Sequence, residues 1–468
     1  MPRISITIRE YEPLVCGEKD EKATADKPAT LSDMSFKHLK NFIETAKLRG
    51  PLDKKETAAT DIFRVGFAGG KDQIIARNYA GIVALKNGVT IEILPKIYDR
   101  NNSEKTEADK KKAVKSARDI MLNMLRTLRA APFKYSQKAN LKTERFNLLE
   151  IFIRMFIDEV FKLAKRGLQS GYVAVSANEK FLKGRLNFSQ HLKHNSAHRE
   201  RLYCDYDVFS VNRIENQIIK KTLIFLQDQT QRDRSQRDLA HLLNVYFDDV
   251  DVPKNIDRAF AQLSYPRNLQ EYALVLQWCE VFLRRQSFTA FSGSKSAFAL
   301  LFPMEKLFED YIATKIRAGA PADYTVKTQD KTHHLFDTPK RFKLRPDIVL
   351  ESGVKSPVIM DTKWKLLTND EKNNHGISPA DMYQMYAYHK KYGAARVCLL
   401  YPLNAKIAEV AARKNPIATY AENTGVTVEV WAIDLTPEKA ENTGVTVEVW
   451  TIDLTPEKID AEIERLLN

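Results

Sequence analysis

Cysteine is scarce: four in 468 residues. Cys16, Cys204, Cys279 and Cys398 lie far apart and form no C-x-x-C pair. That excludes a redox or metal site built on that motif and fits free thiols in a reducing cytosol. No uninterrupted apolar run is long enough to span a bilayer, and the first residues carry no apolar signal core. A cytoplasmic chain without a membrane partner is therefore expected. Gly69-Gly70-Lys71 lacks the spacing of a phosphate-cradling G-x-x-x-x-G-K-[ST] loop, and no other stretch supplies one. What the chain does not lack is positive charge. Lys plus Arg exceed Asp plus Glu by 73 − 60 = 13, an excess that suits a polyanion such as nucleic acid.

The length implies two or three domains, and an apolar fraction of 44% implies sizeable cores. Residues 1–100 read as a β-rich domain. Ile4, Ile6 and Ile8 alternate with polar residues, and Asn87-Gly88 between alternating apolar runs signals a hairpin within Gly81–Lys96. Asp99–Lys112 is polar and charged and reads as a linker or exposed loop. Residues 101–300 read as mostly helical, with short strands near Gly171–Ser176. Phe146–Leu163 is apolar nearly all round, and Gly167 suits its C-cap. Within Phe181–Asn195, Lys183 and Arg185 stand among aromatics, as phosphate-backbone contacts or as a solvated basic face. Asp205 and Asp207 read as capping and turn residues.

The chemistry concentrates in residues 301–468. Leu344–Leu350 and Val358–Lys365 read as two strands joined by a polar turn. Residues two apart on a strand share a face, so Asp361, Lys363 and Lys365 point one way. Arg341, Lys343, Arg345 and Asp347 have a common parity on the other strand. Pairing brings Asp347 beside Asp361, with Lys363 one step away. Two carboxylates repel unless a hard cation sits between them, and Mg²⁺ takes carboxylate oxygens plus waters. A lysine beside such an ion can orient water or stabilise developing negative charge. This is a kit for cutting phosphodiesters, with the basic residues placed to hold DNA. A helix over Met304–Ile316 enters the domain, and a capped helix over Ser378–Gly393 stacks Gln384 and Tyr388 on one face. The order helix, strands, helix, strand makes an α/β core.

The tail holds a tandem repeat. Ala421–Lys439 recurs as Ala440–Lys458 with only Ala432 changed, to Thr451. Two copies are too few for a solenoid. The second leads into Ile459, Ile463, Leu466 and Leu467 at helical spacing. The expectation is that the second copy with its helix docks and the first is dispensable.

Pro346-Asp347 followed by Asp361-Thr362-Lys363 resembles the PD-(D/E)xK nuclease core. Gln384 and Tyr388 are similar to the Q-x-x-x-Y element of its RecB-like branch, and Glu309 matches the acid on the preceding helix. With NYAGIVALKNGVTIEILPKI, FLKGRLNF, CDYDVFSVNRIENQIIKK, MEKLFEDYIA, LRPDIVL, DTKWK and MYQMYAYHKKY in order, the chain resembles the McrC family, nuclease subunits of McrBC modification-dependent restriction systems. The resemblance implies a Mg²⁺-dependent endonuclease acting on double-stranded DNA that contains methylcytosine. Its catalytic set would be Asp347, Asp361, Lys363, Glu309, Gln384 and Tyr388. It also implies a partner, a hexameric McrB-like AAA+ GTPase on which the N-terminal region docks and which it stimulates. The residues leave open a stand-alone RecB-like nuclease and a non-catalytic scaffold that stimulates an NTPase.

Overall fold

The computed structural model describes residues 4–22, 28–45, 47–49, 56–97, 107–127, 147–198, 200–230, 232–263, 270–283, 297–320, 323–353, 356–394, 396–413, 416–422 and 426–435. Packing divides the chain into two units. Met1–Leu148 joins Ser287–Asn468 in one, and Leu149–Gln286 forms the other. Ala299 and Leu301 share a buried core with residues of the N-terminal segment such as Ile6 and Ile93, so segments distant in sequence pack together.

In the first unit, β1 (Ser5–Arg9) buries Ile6 and Ile8 on one face, as period-two alternation requires. Strands β2 (Tyr79–Leu85) and β3 (Thr90–Leu94) form the expected hairpin. Gly88 adopts φ 90° and donates its N–H to the Leu85 carbonyl at 3.0 Å, a backbone that favours glycine. β1 lies parallel to β3. Helix α1 (Glu107–Thr127) begins inside the segment expected to be a linker, so residues 107–112 are helical. Residues 99–106 of that segment lie outside the described residues. Ala117, Met121, Met124 and Leu125 recur at helical spacing and are fully buried, and that apolar stripe carries the helix through the charged run.

The second unit opens with α2 (Leu148–Lys165), whose Ile151, Phe152, Phe156, Ile157 and Val160 are buried. It stops near Gly167, at φ 93°. Strands β4 (Gly171–Glu179) and β5 (Leu202–Ser210) pair antiparallel along nine residues, longer than the short strands expected. Asp205 therefore sits within a strand rather than at a cap. It accepts hydrogen bonds from Ser176 Oγ at 2.6 Å and Asn187 Nδ2 at 3.0 Å. Helices Ile214–Gln229, Asp233–His241 and Gln270–Leu283 follow the apolar periodicity.

The chain then returns to the first unit. Strand β6 (Ala297–Pro303) pairs antiparallel with β2, giving the sheet order β1-β3-β2-β6. Helix α3 (Met304–Gly319) leads to β7 (Tyr324–Thr328) and a separate two-stranded hairpin, β8 (His334–Asp337) with β9 (Lys340–Lys343). Next come β10 (Ile348–Ser352), β11 (Val358–Thr362), helix α4 (Pro379–Tyr392) and β12 (Arg396–Pro402). Strands β13 (Ala418–Ala421) and β14 (Thr427–Ile433) complete a six-stranded sheet in the order β7-β10-β11-β12-β14-β13. Its centre is parallel, with β11 beside β12 and β12 beside β14. Parallel neighbours need a crossover, and α4 supplies the one between β11 and β12.

Two expectations are corrected. The strand expected over Leu344–Leu350 begins only at Ile348. Pro346 has no N–H to donate to a ladder, so the pairing cannot run through it. Arg341 and Lys343 consequently sit on β9 rather than on the strand that follows Asp347. In the tail, the first repeat copy, expected to be dispensable, occupies the sheet as β14. It follows β13 directly and pairs with it from Ala421↔Thr427, so a short local loop suffices. The second copy and its helix lie outside the described residues.

Candidate active site

The site gathers at one end of the six-stranded sheet. Ile348 pairs with Met360, so Asp347 and Asp361 are the next residues of the two strands at that end. Asp361 is 2% exposed. Its Oδ2 lies 2.5 Å from Lys363 Nζ as an ion pair, yet has no hydrogen-bond partner of good geometry. Asp347 is held on both oxygens: Oδ2 accepts from Thr362 N–H at 2.8 Å and Thr362 Oγ1 at 2.7 Å. Oδ1 accepts from Gln329 Nε2 at 2.8 Å, and the same amide donates to Glu309 Oε1 on α3. Gln329 thus bridges two acids, from a left-handed backbone at φ 53°.

Helix α4 supplies the opposite wall. Ser378 caps it by accepting from Ala380 N–H, Pro379 opens it, and Gly393 closes it at φ 61°. The helix presents Gln384, whose Oε1 accepts from Lys363 Nζ at 2.8 Å and whose Nε2 donates to Tyr388 Oη at 2.8 Å. Asp381 Oδ1 stands 3.8 Å from Lys363 Nζ, and Oδ2 pairs with Lys365 Nζ at 2.7 Å.

Burial, then the nearby Asp347 carboxylate, pushes Asp361 up to about 7 against the pull of Lys363. Burial and Asp347 likewise raise Glu309. Burial disfavours a charged Lys363, but the Asp361 carboxylate outweighs it, and the ammonium is held above its ordinary range. Carboxylates kept this close in a dry setting favour a shared cation. Among the described residues no three His, Cys, Asp or Glu side chains gather in a metal-holding group. Two carboxylates, with water completing the shell, are a donor set of the kind Mg²⁺ takes. Asp361 Oδ2 is buried and met by the Lys363 ammonium at 2.5 Å.

Behind the site, Trp364 packs on Phe308 with ring centroids 5.5 Å apart. Its Nε1 donates to Glu10 Oε1 at 3.2 Å and Oε2 at 3.1 Å. This ties the N-terminal sheet to the residue after Lys363.

All six residues expected to be catalytic converge here. The basic candidates are distributed differently. Arg341 and Lys343 are exposed on β9, and Arg345 is exposed beyond it. Lys365 is engaged by Asp381. Lys183 and Arg185 belong to the second unit, where Lys183 pairs with Glu179 at 3.4 Å and covers the Tyr206 ring at 5.3 Å. Sequence reasoning missed Gln329, which carries no motif. It also missed Thr362, the unassigned middle of D-x-K, and Asp381.

Fold and site together define a mixed α/β protein with a paired-acid and lysine centre at a sheet end. The chain belongs to the McrBC family, described as McrBC 5-methylcytosine restriction system component, which matches residues 74–402. It is similar to a chain in the refined half-complex from the tetradecameric assembly of Thermococcus gammatolerans McrB AAA+ hexamers with bound McrC. That likeness has 18% identity, covers 99% of this chain and 100% of that one, and has a TM-score of 0.62; it shows the fold. A chain of the Thermococcus gammatolerans McrBC complex also matches, at 19% identity over 68% of this chain and 88% of that one, with a TM-score of 0.43. No curated protein matches the chain. Among the described residues no helix is long and apolar enough to cross a membrane.

Proposed function

We propose that this chain is the DNA-cleaving subunit of a McrBC-type restriction complex, with a PD-(D/E)xK nuclease core and Mg²⁺-dependent phosphodiester hydrolysis. The observation that carries the reading is the convergence of Asp347, Asp361 and Lys363 at one sheet end, with Lys363 Nζ bound by both Asp361 and Gln384. Asp347 and Asp361 would hold the metal. When bound, Mg²⁺ supplies a more acidic coordinated water and neutralises charge on the phosphoryl oxygen. Lys363, oriented by Gln384 and Tyr388, places an ammonium where negative charge develops. Thr362 and Gln329 fix the Asp347 carboxylate, and Gln329 links Glu309 into the same constellation.

The partner in this reading is an McrB-like AAA+ GTPase hexamer, and the substrate is double-stranded DNA containing methylcytosine. Family membership supports both, and the likeness to a McrC bound to McrB AAA+ hexamers supports the partner. The N-terminal region would dock on the motor and stimulate its GTPase. The test is cleavage of methylated plasmid by this chain with and without an McrB-like AAA+ GTPase. Asp347→Ala, Asp361→Ala and Lys363→Ala should each lose on the order of 10²–10³ in rate while retaining partner binding. Near-normal cleavage by any of them removes that residue from the site.

A further inference from the structure

The β8–β9 hairpin stands outside the six-stranded sheet. All four residues of β9 are exposed. Phe336 is 55% and Phe342 72% exposed, although burial is the ordinary fate of phenylalanine. Phe336 pairs with Arg341, so regular alternation would put Phe342 on the opposite face. The backbone at Phe342 is left-handed instead, at φ 55°, a conformation that bulky residues rarely adopt. The two rings meet edge to face at 5.9 Å. The outcome is a solvent-facing aromatic pair flanked by Lys340, Arg341, Lys343 and His334. The acid of the hairpin, Asp337, is engaged by Lys391 of α4 at 2.8 Å.

The hairpin is also tied to the active site. Leu344 N–H donates to the His333 carbonyl at 3.0 Å and closes its base. The His333 ring lies 4.3 Å from Tyr392 on α4, and Tyr392 Oη donates to Asp330 at 2.8 Å. Its second strand runs through Arg345 and Pro346 straight into Asp347.

We infer that this hairpin is a DNA-engaging ribbon, with Phe336 and Phe342 set against base edges of the duplex and Lys340, Arg341 and Lys343 on the flanking phosphates. The inference rests on the nuclease reading of the adjacent site and adds the element that seats its substrate. A two-stranded ribbon fits a DNA groove, and apolar side chains on such elements contact or wedge base steps. A protein partner fits less well, because lysine is depleted from the centres of protein interfaces.

The experiment uses the full chain in EDTA, where cleavage cannot contribute, and reads binding of a fluorescent DNA duplex by anisotropy across a salt series. F336A/F342A should weaken binding on the order of tenfold with the salt slope unchanged. K340A/R341A/K343A should lower the log–log salt slope by about 0.9 for each phosphate that is no longer neutralised. Thermal melting of both variants should match the wild type, since these side chains are exposed. Unchanged duplex affinity in the phenylalanine variant, or an unchanged slope in the basic variant, overturns the inference. So does loss of binding to the AAA+ GTPase with duplex affinity intact. Failure of the nuclease reading would look different: Asp347→Ala and Asp361→Ala would cleave normally.

Discussion

The tandem tail permits a test in which two deletions differ at a single side chain. Removing Ala440–Lys458 leaves β14 as it stands, with Ala432 in place. Removing Ala421–Lys439 slides the second copy to the same distance from β13. Every residue is then identical except that Thr451 takes the position of Ala432. That position is 0% exposed and pairs with Tyr401 of β12. Threonine adds a methyl and a hydroxyl there. Overpacking of a closed core costs about 1–3 kcal/mol, and a buried hydroxyl without a partner adds about 1–3 kcal/mol. The higher strand propensity of threonine returns up to about 1 kcal/mol. The chain lacking Ala421–Lys439 should therefore be less stable by roughly 1–6 kcal/mol than the chain lacking Ala440–Lys458. Urea unfolding followed by circular dichroism reads this as a lower midpoint with unchanged slope. Equal stability, or the opposite order, would refute the claim that burial at position 432 selects the copy. By the same reasoning the penalty should favour the first copy by about 5-fold or more in the intact chain.

Two further outcomes follow from buried charge. Arg118 of α1 is bidentate to Glu92 of β3, at 2.6 and 2.8 Å, and the Glu92 side chain is fully buried. Arg118→Met should cost about 3–5 kcal/mol by stranding that carboxylate, and adding Glu92→Met should recover part of the loss; a single variant as stable as wild type would show the pair to be dispensable. Glu10 is raised from 4.5 to about 7, chiefly by burial and against the pull of Lys96. A raised carboxyl contributes stability below its unfolded value and loses it as pH climbs through the folded one. Wild-type stability should thus fall relative to Glu10→Gln by up to about 3 kcal/mol between pH 4.5 and pH 7. Asp361 titrates in the same window but is common to both proteins, so the difference isolates Glu10; parallel pH curves would contradict the assignment.

Local signals were legible in the sequence because their causes are local. Asn87-Gly88 reads as a turn since its backbone requirement is met by the residues themselves. Ser378, Pro379 and Gly393 bound α4 through their own hydrogen bonds and dihedral preferences. The parity of Asp361 and Lys363, with the apolar run at Ile348, was enough to anticipate a paired-acid centre. Tertiary structure decided the rest. Gln329 joins Glu309 to Asp347 only because β7 pairs with β10. Ala297–Pro303 joins β2 across more than two hundred residues, and no periodicity announces a partner that distant. Arg341 and Lys343 shared a parity with Asp347 on paper, yet Pro346 ends that strand and hands them to the exposed hairpin. That position 432 of the first copy lies in the core, beside Tyr401, was likewise settled only by the packed sheet. A sequence carries that side chain's volume and polarity but not the space around it, which the packed sheet alone defines.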